Sequence, residues 1–265
     1  MTDMTSMVQH VTSRDGTTIG YDRLGDGPPV ILVSGGSVDR MSNAGVAALL
    51  APEFTAFNYD RRGRGDSGDT LPYAVEREIE DIDAVVAAAG GAAHLYGSSS
   101  GAALALAAAE QLQGRITKLA LWEPPFFLDP KARPPADTAR TYNDFVDAGR
   151  RGDAVEFFMA KVVGMPAEFV AWAKTQPWWA GQEKIAHTLA YDATVMGDYL
   201  LPLERAAAVT IPTIVLAGGA SFDFFPDTAR ALAAALPNGQ ARILEGQSHD
   251  VAAEALTPVL KAFLA

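Results

Sequence analysis

The segment Gly97-Ser98-Ser99-Ser100-Gly101 carries the sharpest chemical signal in the chain. A serine with glycine two positions to either side, between an apolar strand pattern and an Ala-rich helix pattern, suits a nucleophile on a sharp strand-to-helix turn. Such a turn leaves no room for side chains two residues from its apex, and it lifts the apical hydroxyl above the sheet edge. The N–H groups that follow, at a helix N-terminus, can face a developing negative charge. Only Ser99 is flanked symmetrically by the glycines, so Ser98 and Ser100 are weaker candidates.

A serine hydroxyl needs an adjacent base to attack at neutral pH, and histidine is the usual one. The histidines are His10, His94, His187 and His249. His249 lies in Glu245-Gly246-Gln247-Ser248-His249-Asp250, between the last strand pattern and the last helix pattern. In a parallel sheet that is the edge that also carries Ser99. His10 is expected on an edge strand and His94 at the start of the strand leading to Ser99. His187 reads as a surface histidine.

These residues need a scaffold, and the hydrophobic pattern supplies one. Val8–Ser13 and Thr17–Leu24 flank Arg14-Asp15-Gly16 as a hairpin. Val30–Val33 is a continuous apolar run, the mark of a strand buried on both faces. A helix over Ala44–Leu50, a strand over Phe54–Tyr59, a helix over Val75–Ala89 and a strand over Ala93–Tyr96 follow. Then come a helix over Ala102–Leu112 and a strand over Ile116–Trp122. The alternation predicts an α/β protein with a mostly parallel central sheet flanked by helices. It stops after Pro124-Pro125. From Phe126 to about Arg205 the chain reads as aromatic-rich helices and loops. It resumes with a strand at Thr213–Ala217, a helix at Asp227–Leu236, a strand at Ala241–Leu244 and a helix at Val251–Leu264. The expected domains are a core formed by residues 1–125 and 206–265, and a helical cap inserted at 126–205.

Composition narrows the function classes. The chain has 265 residues, 49% of them hydrophobic, enough to bury a substantial core. Its formal net charge of −11 disfavours nucleic acid and anionic membranes as partners. There is no cysteine, so disulfides, thiolate metal sites and a cysteine nucleophile are excluded. No His pair or carboxylate cluster has metal-ligand spacing, and no metal or cofactor is expected. Met1–Thr12 is polar and lacks the apolar segment of a signal peptide. No run reaches the roughly 18 apolar residues that span a bilayer. A soluble cytoplasmic protein is the expectation, and the oligomeric state is not set.

Four local patterns together resemble the α/β-hydrolase superfamily over essentially the whole chain. They are Val33-Ser34-Gly35-Gly36-Ser37, Tyr59-Asp60-Arg61-Arg62-Gly63-Arg64-Gly65-Asp66-Ser67-Gly68, the turn around Ser99, and Gly246-Gln247-Ser248-His249. The resemblance implies an oxyanion hole built from the backbone N–H groups of Ser100 and Gly36. Ser34 stands where family members commonly have histidine. The arginine-rich segment is implied to be a structural turn.

The third member of a triad is open between two acids. The family's commoner acid lies in a Gly-x-x-Asp pattern after the strand that follows the insertion. Here that segment is Gly218-Gly219-Ala220-Ser221-Phe222-Asp223, with Ser221 at the expected position and Asp223 two residues late. The alternative, Glu123, directly follows the strand after the nucleophile helix. The zearalenone lactonases, which the Ser99-Ser100-Gly101-Ala102 run also resembles, place a Glu there. Glu123 is preferred and Asp223 is the alternative acid. Asp250, adjacent to the base, is expected to cap a helix.

Substrate contacts are expected from Trp178, Trp179, Phe126, Phe127 and Met196, with Ser37 on the loop after the third strand. For any single aromatic, plain core packing competes with this role. The substrate so implied is a small neutral or apolar ester or lactone, since no cationic clamp is evident. The reaction expected is hydrolysis through an acyl-enzyme. A ligand-binding protein with slow or lost turnover is the reading from another class. A C–C hydrolase or cofactor-free oxygenase is a further option on the same scaffold. Ser99 argues against epoxide hydrolysis and dehalogenation, whose usual route in the family needs an Asp.

Overall fold

The computed structural model describes residues 8–265. The reading of Met1–Thr12 as a polar N-terminus therefore lies partly outside the described residues. In chain order the first half runs β1 (Gln9–Thr12), β2 (Thr18–Leu24), β3 (Pro29–Val33), α1 (Ala44–Leu50), β4 (Thr55–Tyr59), α2 (Val75–Ala88), β5 (Ala93–Ser98), α3 (Ser100–Gln111) and β6 (Ile116–Trp122). A helical segment follows with α4 (Thr138–Asp147), α5 (Arg151–Phe157), α6 (Ala167–Ala173), α7 (Trp179–Lys184), α8 (Thr188–Met196) and α9 (Leu203–Ala208). The chain then returns to the sheet with β7 (Thr213–Gly218), α10 (Phe224–Ala235), β8 (Gly239–Leu244) and α11 (Ala253–Leu264).

The eight strands form one sheet in the order β1-β2-β4-β3-β5-β6-β7-β8. β3 to β8 are parallel, while β2 runs antiparallel to β4 and β1 antiparallel to β2. This is the mostly parallel sheet that the alternation of strand and helix implied, in the arrangement that the resemblance to the α/β-hydrolases led one to expect. β4 and β5 lie on opposite sides of β3, so the chain changes direction there. In open parallel sheets a crevice forms at the C-terminal strand ends beside such a reversal.

Burial on both faces explains the apolar runs. In β3, Ile31 and Val33 join one core layer with α2, α3 and α10, while Val30 and Leu32 join the other with α1 and α11. Helix α3 is buried along most of its length, from Ser100 to Ala109. Its alanines let it lie close to the sheet on one side and to α2 and α8 on the other. Phe127 pairs with Leu200, so the two ends of the helical segment meet where it leaves and rejoins the sheet.

The segment after β4 is a structural turn, held by buried ion pairs. Arg61 makes two 2.7 Å bonds to Glu78. Arg62 bonds Asp81 at 2.7 and 2.8 Å, and Asp15 at 3.0 Å. Asp60 accepts from the Arg40 side chain and backbone and from the Asp66 N–H. All three arginines of the turn are buried. Guanidinium forks matched to carboxylates satisfy groups that would otherwise be costly to bury. No described helix is long and apolar enough to cross a membrane.

Two glycine substitutions separate packing from chain flexibility. A Cβ on Gly101 would collide with the Ser34 carbonyl and sit 2.6 Å from that of Val33. Gly181, inside α7, has nothing within 4 Å of such a carbon. Gly101→Ala should cost about 1–3 kcal/mol, and Gly181→Ala should be neutral or gain roughly 0.4–1 kcal/mol. Urea unfolding of both variants checks the ranking.

Candidate active site

The C-terminal edges of β3, β5, β6, β7 and β8 bring the sequence candidates together. Ser99 forms the turn between β5 and α3 with φ 54° and ψ −127°. A non-glycine residue there carries strain of roughly 1–3 kcal/mol, which its surroundings must offset. The Ser99 N–H donates to the Trp122 carbonyl at 2.8 Å, which ties the turn to the end of β6. A Cβ on Gly97 would lie 2.8 Å from the Ala102 Cα, so the strand and the incoming helix pass too closely for any side chain.

Glu123 follows β6, also at positive φ (44°), and is fully buried. Its N–H donates to the Leu216 carbonyl at 2.9 Å. Its Oε1 accepts the Gly218 N–H at 2.7 Å, and its Oε2 accepts the Ser221 hydroxyl at 2.9 Å. Oε2 also lies 2.5 Å from His249 Nδ1. A carboxylate can only accept, so Nδ1 carries the proton and Nε2 is left free to accept one. His249 is further fixed by stacking on Phe225, with centroids 5.1 Å apart and planes 12° apart. Its carbonyl accepts the Trp122 indole N–H at 3.0 Å. Asp223 lies elsewhere, exposed at the start of α10, and its side chain makes no hydrogen bond or ion pair among the described residues. Ser221 thus occupies the place of the commoner acid and donates to the Glu123 carboxylate.

Ser99, Ser100, Gly35, Gly36 and His249 line one cavity of about 650 Å³. That is within the usual range for small-molecule sites. Neither the Ser100 nor the Gly36 N–H is paired with a backbone acceptor among the described residues. Of the aromatic and sulfur side chains expected at a substrate, Phe127, Trp178 and Met196 line the cavity.

Trp179, Phe126 and Ser37 are not among the residues that line it. Trp179 opens α7 and turns into the core, whereas its neighbour Trp178 stays 41% exposed at the cavity. Phe126 packs into the core with its carbonyl bonded to the Thr228 hydroxyl. Ser37 is buried at positive φ, and its hydroxyl bonds Gln182. Asp250 does not cap α11. The cap position is Ala252, whose N–H is met by Gln247 at 3.2 Å, and Asp250 lines the cavity. His10 lies on edge strand β1, and His94 on β5 is bonded to Thr117 at 2.7 Å. His187 is a half-buried partner of Asp69 at 3.3 Å, tying the helical segment to the turn after β4.

Several lining residues lie outside the sequence expectations. Tyr142 and Tyr199 face the cavity from the helical segment, as do Phe158, Met159, Met165 and Phe169. Residues 158–162 form a π-helical turn, a local widening common at functional sites. Lys161 on that turn lines the cavity and makes no ion pair among the described residues. Asp192 is the most informative omission. It is the lone charged residue in the largely apolar Leu189–Met196 run, a signal readable as a buried charge in need of partners. Burial acts to raise its pKa, but Arg64 and Arg61 outweigh that and hold it below the usual carboxylate value. Among the described residues, no group of three or more His, Asp or Glu could hold a metal ion.

Comparison with known proteins agrees with this architecture. The sequence pattern of the Alpha/beta hydrolase family matches residues 30–261. An α/β hydrolase from Sphaerobacter thermophilus has a solved structure with a TM-score of 0.90 at 50% identity, over 97% of this chain and all of that one. An uncharacterized hydrolase of Bacillus subtilis is 37% identical over 34% of this chain and 35% of its own. The N-formylmaleamate deformylase of Pseudomonas putida is 38% identical over 38% of this chain and 39% of its own. The matches to these curated relatives thus span little more than a third of their length.

The adjacent tryptophans should behave differently. Trp179→Ala empties a core position and should cost about 3–5 kcal/mol. Trp178→Ala should cost under about 1 kcal/mol, as for a surface substitution. Denaturant midpoints of the two variants test this assignment of one side chain to the core and the other to the cavity.

Proposed function

The chain belongs to the α/β hydrolase family, and we propose that it is a serine hydrolase that cleaves a small neutral or apolar ester or lactone. The observation that carries the reading is the 2.5 Å contact between His249 Nδ1 and Glu123 Oε2, on a cavity that Ser99 shares. The helical segment between β6 and β7 acts as a cap that supplies much of the apolar lining.

In this mechanism Ser99 Oγ attacks the substrate carbonyl carbon while His249 Nε2 takes its proton. Glu123 accepts the Nδ1 proton's hydrogen bond throughout and stabilises the imidazolium without becoming protonated. The charge that develops on the carbonyl oxygen is met by the N–H groups of Gly36 and Ser100. Collapse of the tetrahedral species breaks the C–O bond, and His249 returns the proton to the departing alkoxide. A water then attacks the acyl-enzyme, His249 takes its proton, and the acid is released with Ser99 restored. For a lactone the leaving alkoxide stays attached to the acyl chain, so one ring-opened hydroxy acid is the product.

Support for the acid's identity is chemical as well as positional. Glu123 accepts three hydrogen bonds at 2.5–2.9 Å, so both oxygens are oriented. Asp223 has no such partners among the described residues. The lining is mostly apolar side chains, which suits a substrate with few charges. One relative is named as a deformylase, and removal of a formyl group is acyl chemistry of the same kind.

Hydrolysis of activated esters and a panel of lactones by purified variants tests the proposal. Ser99→Ala should lose essentially all activity. Glu123→Gln should lower kcat by about 10²–10⁴-fold, as for a triad acid. Asp223→Asn should stay within roughly threefold, as for a surface change. Full activity in Ser99→Ala would sink the mechanism, and the reverse ranking of the two acids would move the role to Asp223.

A further inference from the structure

Asp192 sits in a buried apolar helix, and its contacts converge on one place. Its Oδ1 accepts the Ser100 hydroxyl at 2.8 Å and Arg61 Nη1 at 2.7 Å. Its Oδ2 accepts Arg64 Nη2 at 2.7 Å. A Cβ placed on Gly36 would lie 3.0 Å from Asp192 Oδ2 and 3.4 Å from the Ser100 hydroxyl. The carboxylate is thus packed against both residues whose N–H groups form the proposed oxyanion hole.

The two arginines extend this contact to the rest of the loop after β3. Arg64 Nη1 donates to the Gly35 carbonyl at 2.5 Å and to that of Val38 at 3.4 Å. Arg61 Nη1 reaches the Ser34 carbonyl and the Ser100 hydroxyl, each at 3.4 Å. Glu78 takes the other side of Arg61. Two cations and two carboxylates make this cluster neutral, so Asp192 adds no net negative charge where an oxyanion would form.

Stability alone does not explain the arrangement. A buried ion cluster is often no more stabilising than apolar residues of the same volume. Apart from Thr188 and the exposed Thr194, α8 is apolar and buried, and a leucine at 192 would suit its pattern. What the carboxylate supplies is direction. It pins the Ser100 side chain at the first turn of α3, and it pins through Arg64 the carbonyl next to Gly36. Oxyanion donors act through a spacing fixed before reaction, so small errors in their placement are costly.

We propose that Asp192 is a positioning residue, a strut from the helical insertion that fixes the spacing of the Ser100 and Gly36 N–H groups. The inference rests on the serine-hydrolase reading for its catalytic consequence, but not for its geometric one. It also makes the insertion part of the site: the oxyanion hole is complete only with α8 seated on the core.

The test uses full-length Asp192→Asn and Ser100→Ala beside wild type. Ser100→Ala keeps the N–H and removes only the hydroxyl that Asp192 holds. Two quantities are read: kcat and KM on an activated ester, and the amide resonances of Gly36 and Ser100 with their hydrogen-exchange rates. The expected result is a fall in kcat of about tenfold in Ser100→Ala and up to about a hundredfold in Asp192→Asn. KM should move less than about twofold, as for an interaction made only in the transition state. The Gly36 and Ser100 amides should shift or exchange faster in Asp192→Asn, and the Gly36 amide should do so in Ser100→Ala. The double variant should lose less than the product of the single losses, since both act through one contact. Unmoved amides would overturn the proposal whether or not the protein hydrolyses the ester. Moved amides with unchanged kcat in an active protein, or a rise in KM alone, would overturn it too. If Asp192→Asn does not fold, Ser100→Ala decides by the same criteria. A wild type with no Ser99-dependent hydrolysis sinks the parent reading, and the amide shifts still judge the strut.

Discussion

The strand ladder at the centre of the sheet holds two strained residues beside each other. Ser98 pairs with Trp122, so β5 and β6 end in register, while β7, whose Leu216 pairs with Trp122, runs on to Gly218. The next residue on β5 is Ser99 and the next on β6 is Glu123, both at positive φ. Each donates its N–H to the neighbouring strand, Ser99 to Trp122 and Glu123 to Leu216. Two otherwise unfavourable backbone conformations are thereby fixed by the sheet itself. Buried apolar strands on both faces leave the ladder little freedom to shift. Helix α3 can approach only because Gly97 and Gly101 carry no side chains, and the loop after β3 packs beneath it. The rest of the site is arranged around this edge.

Charge is distributed around it in two ways. Glu123 is buried beside His249, with a backbone N–H and the Ser221 hydroxyl as its other partners. The arginines of the turn after β4 are also buried, and carboxylates from α2 and α8 meet them. The acidic surface that the net charge of −11 implies is a separate matter, outside these internal pairs. In low-dielectric surroundings a paired charge keeps its direction because its alternatives are so costly. That makes ion clusters suited to holding loops in place, and the segment read from the sequence as a structural turn does so for residues 34–38.

Much of this was legible in the sequence, and the parts that were not share a cause. The strands and helices of the core follow from apolar runs and periodicity, with ends that shift by at most three residues. Ser99 and His249 stand out because motif and strand–helix context agree on one sheet edge. Between Glu123 and Asp223 the sequence offers position only. The structure adds the partners: three hydrogen bonds on one acid, and none among the described residues on the other. Side-chain direction is where one-dimensional reading fails. Trp178 and Trp179 are adjacent, yet the start of α7 sends one to the cavity and the other to the core. Phe126 and Phe127 divide in the same way. Asp192 lies more than 90 positions from Ser100, so only the folded chain reveals their contact. A solitary acid in an apolar helix was the available clue.

The central claim is that Ser99 is an activated nucleophile facing a formed oxyanion hole. A fluorophosphonate reports on both, because it reacts with such a serine and places an oxygen in the hole. Intact-protein mass after treatment, for wild type and for Ser99→Ala, is the direct measurement. The account predicts one adduct on wild type and none on the variant. A folded wild type that takes up no label, or a variant that labels equally, would contradict it.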